Sequence, residues 1–242
     1  MNEKEEISYP IRINRYLNLK GYCSRRKADE FIKQCQVKIN GKVAVLGDKV
    51  QEGDAVTVGT LVEKAREDRV YYAFYKPVGI VTHDPQKGEK GIEDITSFPK
   101  DVVPVGRLDK HSHGLVLLSN DGRIVNRLLN PAHDHEKEYI VRVDKPLKER
   151  VARQMERGMQ LEDFKTKPCK AEMMNETTLK IILTEGKKHQ IRRMCAALGY
   201  QVRDLKRTRV MSIGLGILRP GGHREIKGKE LSVFLKSIGI EE

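Results

Sequence analysis

The stretch VGRLDKHSHGLVLLSNDG, residues 105–122, sets Arg107, Asp109, Lys110, His111, Ser112 and His113 between two apolar segments. Val102–Val105 reads as a strand running into Gly106, and Leu115–Leu118 resumes an apolar strand. Polar loops at strand ends are where sites sit, because a rigid sheet holds them in place. A carboxylate in such a loop can serve as a nucleophile. It can equally form a turn, since aspartate side chains bond the backbone two residues on. Residue type alone leaves both readings of Asp109 open.

A second candidate stretch is TEGKKHQIRRMCAALGYQVRDLKRTRV, residues 184–210. Ile191, Met194, Cys195 and Leu198 make one helical stripe, and Gly199 is placed to end it. Arg193 then points away from the stripe, while Arg192 falls on its flank. A flank position suits a guanidinium that reaches a cleft beside the core and grips a carboxylate in a fork that lysine cannot reproduce. Arg193, Lys206, Arg207 and Arg209 are assigned to phosphate contact. A third stretch, HEKEYIVRV at 135–143, alternates so that Lys137, Tyr139, Val141 and Val143 share one strand face. Tyr139 taken alone reads as a half-buried packing residue.

The net charge of +12 is concentrated. Residues 11–45 hold nine Lys/Arg against two Asp/Glu, and residues 186–210 hold eight against one, so the remainder is slightly acidic. Two dense basic patches are the footprint of a polyanion such as RNA; solvated basic faces are the plainer alternative. Cys23, Cys35, Cys169 and Cys195 show neither CxxC pairing nor zinc-ligand spacing and read as free thiols, with Cys35 and Cys195 on apolar stripes. No metal is expected. There is no glycine-rich phosphate loop, so a nucleotide cofactor is not indicated. No apolar run approaches the roughly 18 residues of a membrane span, and MNEKEEIS lacks the apolar core of a signal peptide, so the expectation is a cytosolic protein.

These side chains need elements to position them. Residues 11–35 read as two short helices: Ile13, Tyr16 and Leu17 on the first, a break at Gly21, then Ser24 as N-cap of a second with Ala28, Phe31, Ile32 and Cys35 as its stripe. Arg25, Arg26 and Lys27 occupy its first turn, where the helix dipole disfavours cations by a few tenths of a kcal/mol. Phosphate contact accounts for them. Asn40-Gly41 between Val37–Ile39 and Val43–Val45 is a type I′ hairpin signal, and a turn at Gly53-Asp54 leads into Ala55–Val58. Residues 1–62 are expected to form one small unit with a short tail. Residues 63–69 are expected to be a linker, within the polar run TLVEKAREDR at 60–69. From 70 to 242, strands VYYAFYK, VVPV, LVLLS, KEYIVRV and LKIILT alternate irregularly with helical patterns at 122–130, 147–157, 188–198 and about 229–238. That pattern argues an α+β domain on a mixed, mostly antiparallel sheet.

The series RINRYL, GYCSRRKAD, VKINGK and GDKVQEGDAV resembles the alpha-L RNA-binding motif first seen in a small-subunit ribosomal protein. The resemblance implies that Arg12, Arg15, Arg25, Arg26 and Lys27 face RNA. YKPVGIV (75–81), GRLDKHSHGL (106–115), KEYIV (137–141) and KKHQIRRM (187–194) together resemble the pseudouridine synthases, in the ribosomal-RNA branch with an N-terminal alpha-L motif. NPAHDHEKEYIVRVDKP and QIRRMCAALGYQVRDLKRTRVMSI are similar to the subgroup acting on 23S RNA near the peptidyl transferase centre, in some cases also on the tyrosine tRNA anticodon. The resemblance places the catalytic aspartate at Asp109, the active-site tyrosine at Tyr139 and the aspartate-pairing arginine at Arg192; Arg107, in the same polar loop, is expected among the RNA contacts. The sequence departs from the pattern at Tyr75, where asparagine usually precedes Lys-Pro, and at His111 and His113, which are left outside the catalytic set. The implied reaction breaks the uridine N1–C1′ bond, rotates the base and rejoins it through C5, which requires no cofactor. The expected partner is ribosomal RNA, with tRNA a further candidate, and the expected state is a monomer. A non-catalytic RNA-binding assembly factor of the same fold is the alternative reading.

Overall fold

The computed structural model describes residues 8–130 and 133–240. The N-terminal unit runs β1 (Ile11–Arg12), α1 (Ile13–Leu19), α2 (Arg25–Lys33), β2 (Val37–Ile39), β3 (Lys42–Val43), β4 (Lys49–Val50), β5 (Val56–Val58) and α3 (Thr60–Glu67). Ser24 caps α2 as expected, its side chain accepting the Lys27 N–H at 3.3 Å. Asn40 and Gly41 both take positive φ, 50° and 79°, and close the β2–β3 hairpin. Ile13, Leu17, Ala28, Phe31, Ile32, Val37 and Val50 are buried together as a separate small core.

The polar run at 60–69, expected to hold the linker, forms α3 over most of its length, because Val62 buries into the N-terminal core while its charged neighbours face water. One expectation fails here. Cys35 lies beyond the end of α2 at φ 57° and is exposed, since the helix stops at Lys33, two residues too early to carry it onto the buried stripe.

The larger unit contains β6 (Tyr71–Lys76), a short parallel pair β7 (Ile80–Val81) and β8 (Lys90–Gly91), β9 (Val103–Val105), β10 (His113–Ser119), α4 (Gly122–Leu129) and β11 (Lys137–Val143). It continues with α5 (Arg150–Glu156), β12 (Lys170–Asn175), β13 (Thr178–Leu183), α6 (Gln190–Ala197), β14 (Val202–Val210), β15 (Ile213–Gly214), β16 (His223–Glu225) and α7 (Gly228–Ser237). Nine strands form one mixed sheet, in the order β12-β13-β11-β14-β10-β6-β16, with β9 added on β10 and β15 on β14. All its pairings are antiparallel except β10 with β14.

Strand alternation divides the core between the two sheet faces. Phe74, Val116, Leu118, Tyr139, Val141, Leu179 and Ile181 pack with Met155 of α5 and Met194 of α6. Tyr71, Ala73, Leu115, Leu117 and Ile213 pack with Ile124 and Leu128 of α4 and Phe234 of α7. The long strand β14 carries the basic run VRDLKRTRV through the middle of this sheet. Its alternation is carried by arginine and lysine stems rather than apolar residues, so a hydrophobic pattern does not reveal it.

Candidate active site

The parallel contact of β10 with β14, His113↔Lys206 and Gly114↔Arg207, brings the three chemical stretches together. The loop before β10 carries Asp109. Its side chain is 38% exposed and lies 3.6 Å from His189 Nε2. The loop is fastened through its backbone. The Thr82 hydroxyl donates to the Leu108 carbonyl at 2.7 Å and accepts the Leu108 N–H at 3.1 Å. Ser112 N–H donates to the Asp109 carbonyl at 3.0 Å, and Gly79 N–H to the Lys110 carbonyl at 2.8 Å. The aspartate is thus held on a rigid frame with its carboxylate open to solvent, the arrangement that suits a reacting group.

Tyr139 sits on β11 and is 9% exposed, packed in the same cluster as Leu108 and Ile191. Its strand neighbour is Arg207. Arg192 on α6 does not pair with Asp109. Its Nη2 donates to the His111 carbonyl at 2.7 Å and lies 3.3 Å from Ser112 Oγ, and its Nη1 donates to the Val202 carbonyl at 3.4 Å. The expected ion pair is replaced by a clamp on the loop two residues further on. Charge-assisted bonds of this kind contribute about 1.5–3 kcal/mol each. Arg192 therefore orders the loop, and His189 is the side chain beside Asp109.

Several expected phosphate ligands are otherwise engaged. Arg207 is 4% exposed, with Nε donating to the Leu115 carbonyl at 2.7 Å and Nη1 to the Arg107 carbonyl at 3.2 Å. It braces both ends of the Asp109 loop from within. Arg209 is tied to Glu136 at 3.1 Å and Glu138 at 3.5 Å, and Arg193 pairs with Asp163 and stacks over Phe164. Lys206 lies over the Tyr75 ring at 5.5 Å, and Lys27 pairs with Glu30 at 2.9 Å. Arg12, Arg15, Arg25, Arg26 and Arg107 are exposed as expected. Lys206, Arg207 and Arg209 lie on β14 inside the sheet, where the two guanidinium groups satisfy carbonyls and carboxylates, while Arg193 and Lys27 pair with acidic neighbours on the surface.

Two lysines lie close to the buried Arg207. Lys76 is fully buried, with Nζ donating to the carbonyls of Pro77 at 2.9 Å and Ile80 at 2.7 Å. Burial pushes its amine down to about 8, with Arg207 adding to the fall and Asp109 opposing it. Burial and Arg207 likewise bring Lys137 down to about 8. The sequence signal for Lys76 is a lysine ending the apolar run VYYAFYK. Lys76 and Arg207 set a positive potential beneath the Asp109 loop, which favours the carboxylate and any anion formed against it.

This has a measurable consequence for stability. Below pH 8 the folded and unfolded chains both hold the Lys76 proton, and the burial cost is fully present. Between about 8 and 10.5 the unfolded chain binds more protons, so the contribution of Lys76 to stability rises with pH. The stability difference between wild type and Lys76→Met is expected to stay flat below pH 7 and then shift toward wild type through pH 9.5. The slope is at most about 1.4 kcal/mol per unit. Urea melts at both pH values check this; a pH-independent difference contradicts it.

His113, left outside the expected catalytic set, is partly buried in a chain of polar contacts. Its Nδ1 is 2.7 Å from the Tyr75 hydroxyl and its Nε2 is 3.0 Å from Asp204. One tautomer, with the proton on Nε2, satisfies both. Tyr75 and His113 are the two departures from the resembled pattern that meet in space, and together with Asp204 they tie β6, β10 and β14 at the loop's end. His111 is exposed.

Burial raises the thiols of Cys23 and Cys195 to about 12 and of Cys169 to about 11, which makes them inert packing groups. Among the described residues no group of three or more His, Cys, Asp or Glu side chains is placed to hold a metal ion, and no helix is long and apolar enough to cross a membrane.

The site is therefore an aspartate loop clamped at the centre of a nine-stranded mixed sheet, joined to a small basic helical unit. A family profile described as RNA pseudouridylate synthase matches residues 70–197, and one described as S4 domain matches residues 11–56. The dual-specificity RNA pseudouridine synthase RluF of Escherichia coli K12 is 43% identical over 94% of this chain and 79% of its own length. The ribosomal large subunit pseudouridine synthase B of Bacillus subtilis 168 is 36% identical over 91% and 93% respectively. A crystal structure of a pseudouridylate synthase aligns over 94% of this chain and 99% of that one, with a TM-score of 0.69 and 27% identity. This chain belongs to the RNA pseudouridine synthase family and is an isomerase that turns uridine into pseudouridine in RNA.

Proposed function

We propose that the substrate is large-subunit ribosomal RNA, near the peptidyl transferase centre of 23S RNA, with the tyrosine tRNA anticodon as a second substrate, and that Asp109 is the attacking carboxylate. The observation that carries the assignment of Asp109 is its setting: an open carboxylate on a loop whose backbone is held by Thr82, Arg192 and Arg207. The substrate assignment rests on the two relatives and on the resemblance of residues 130–146 and 190–213 to that subgroup.

In this reading the target uridine leaves its stack, at a cost of a few kcal/mol. Its base lies against Tyr139, and the Asp109 carboxylate bonds to C1′ as the N1–C1′ bond breaks. After the base rotates, C5 bonds to C1′ and displaces the carboxylate, the C5 proton departs to a base, for which Tyr139 is our candidate, and N1 takes up a proton. The atoms balance without a redox partner. Exposed Arg12, Arg15, Arg25, Arg26 and Arg107 meet the phosphates and offset the cost of flipping. The enzyme acts as a monomer in the cytoplasm.

Release of tritium from RNA labelled at uridine C5 tests the assignment. Release from a 23S fragment spanning the peptidyl transferase centre, and none from a control rRNA fragment, is expected; release confined to other RNA contradicts the substrate. The phosphate assignment is tested separately. Neutralising Arg25 and Arg26 together is expected to weaken binding and reduce the slope of log affinity against log salt by about 1–2. An unchanged slope contradicts their placement.

A further inference from the structure

The S4 unit and the catalytic unit meet through a buried polar joint. Asp121, the N-cap of α4, has a fully buried carboxylate. Arg123 grips it with Nε at 3.0 and 3.1 Å and Nη2 at 2.7 Å, and the Tyr71 hydroxyl donates to it at 2.7 Å. Arg69 lies 4.0 Å away, and its Nη2 crosses to the S4 unit to donate to the Gly21 carbonyl at 2.5 Å. Burial by itself raises the Asp121 carboxyl, but the Arg123 bonds and charge, the Tyr71 hydroxyl and Arg69 more than reverse this and leave it below the usual carboxylate range.

The same joint extends along the chain that links the units. Val70 N–H donates to Asn120 Oδ1 at 2.9 Å, Asn120 Nδ2 to the Asp68 carbonyl at 3.0 Å, and the Ser119 hydroxyl to the Val70 carbonyl at 2.7 Å. At the start of α4, Gly122 touches α1 so closely that a Cβ there would collide with the Asn18 amide. A tether that only had to keep two modules together would need none of this. Buried ionic groups stripped of their partners cost several kcal/mol, so the joint has one low-energy arrangement.

We propose that the Arg69–Asp121–Arg123 joint makes the S4 unit a ruler, fixing the distance and rotation between the RNA helix gripped by α2 and the uridine presented to Asp109. The inference rests on the RNA-isomerase reading and adds a determinant of site choice. Arg69, Asp121 and Arg123 touch neither RNA nor the reacting atoms; they are positioning residues. They act by forbidding the S4 unit from following a helix whose length has changed.

The test uses the full-length enzyme and stem–loop RNAs built on its own modified site, with one base pair inserted or deleted between the stem end and the target uridine. Wild type is expected to lose at least about tenfold in kcat/KM on either altered stem, whose added or missing pair rotates the target out of register. Arg69→Gln leaves the Asp121–Arg123 pair intact and is the variant to use if Asp121→Asn fails to fold. It is expected to keep kcat on the unaltered stem within threefold of wild type and to reduce the tenfold discrimination to threefold or less. Hydrogen exchange at the Val70 and Arg123 amides reports the joint itself and should quicken in Arg69→Gln while the β11–β13 amides stay protected. Unchanged exchange, or quickened exchange with wild-type discrimination, overturns the proposal. Equal turnover of all three stems by wild type overturns it as well. Failure of wild type to release tritium from any RNA would instead count against the substrate reading on which it stands.

Discussion

Asp109→Ala is expected to abolish isomerisation, lowering single-turnover tritium release by at least about four orders of magnitude, as loss of a covalent nucleophile does in other enzymes. RNA affinity should stay within about threefold of wild type, because the exposed arginines of α1 and α2 and Arg107 lie outside the substitution. The fold should also be indifferent to the change. The loop is anchored at the carbonyls of Arg107, Leu108, Asp109, Lys110 and His111, none of which depends on the Asp109 side chain. That side chain has one close polar neighbour, His189 at 3.6 Å, and the contact is solvated. Exposed pairs of this kind contribute about 1 kcal/mol at most. Asp109→Asn keeps the shape and removes the charge, and should be as inactive as alanine. Tritium release measured beside filter binding and a thermal melt separates these outcomes; residual activity above a hundredth of wild type would contradict the role.

Gly114→Ala should be the most damaging substitution to the fold that leaves every catalytic side chain in place. Gly114 has φ 110°, a conformation that L residues with a side chain rarely adopt, and it stands where β10 meets β14. A Cβ there would lie 2.7 Å from the Arg207 backbone nitrogen and nearer still to its carbonyl oxygen. Both obstacles are main chain in a paired strand, so neither can move without opening the sheet. Forced apart, the strands would lose the Arg207 bonds to the Leu115 and Arg107 carbonyls that hold the catalytic loop. A destabilisation of about 3 kcal/mol or more is expected, combining backbone strain with a steric clash. Activity should fall even where the protein is folded. A urea midpoint equal to wild type would show that the strands separate freely and that the loop is held by something else.

Much of this was legible in the residues because several independent signals agreed. Ser24, Asn40-Gly41 and the Val/Ile alternation each named a cap, a turn or a strand, and local chemistry decided the outcome. Tyr139 and its strand face followed from period two alone. What stayed hidden depended on contacts far apart in sequence. Arg207 looks like its neighbours in KRTR, and only the parallel pairing of β10 with β14 shows that it is buried. Arg192 is on the flank that helical spacing assigned to it. Which acceptor it reaches, the His111 carbonyl and not Asp109, depends on how the loop turns. The α3 helix was missed because one buried valine outweighs a run of charges, and tertiary context overrides a polar pattern. Asp121 passed unread for a similar reason: as a helix cap it looks complete, and its partners Arg69 and Tyr71 lie some fifty residues earlier.

The central claim is that the Asp109 carboxylate isomerises a uridine of large-subunit RNA, and one measurement tests it most directly. Pseudouridines in 23S RNA are mapped by carbodiimide modification and primer extension in cells lacking this gene, restored with either the wild-type or the Asp109→Ala form. The account predicts a stop near the peptidyl transferase centre that returns with wild type and stays absent with Asp109→Ala. A stop restored equally by both forms would contradict it.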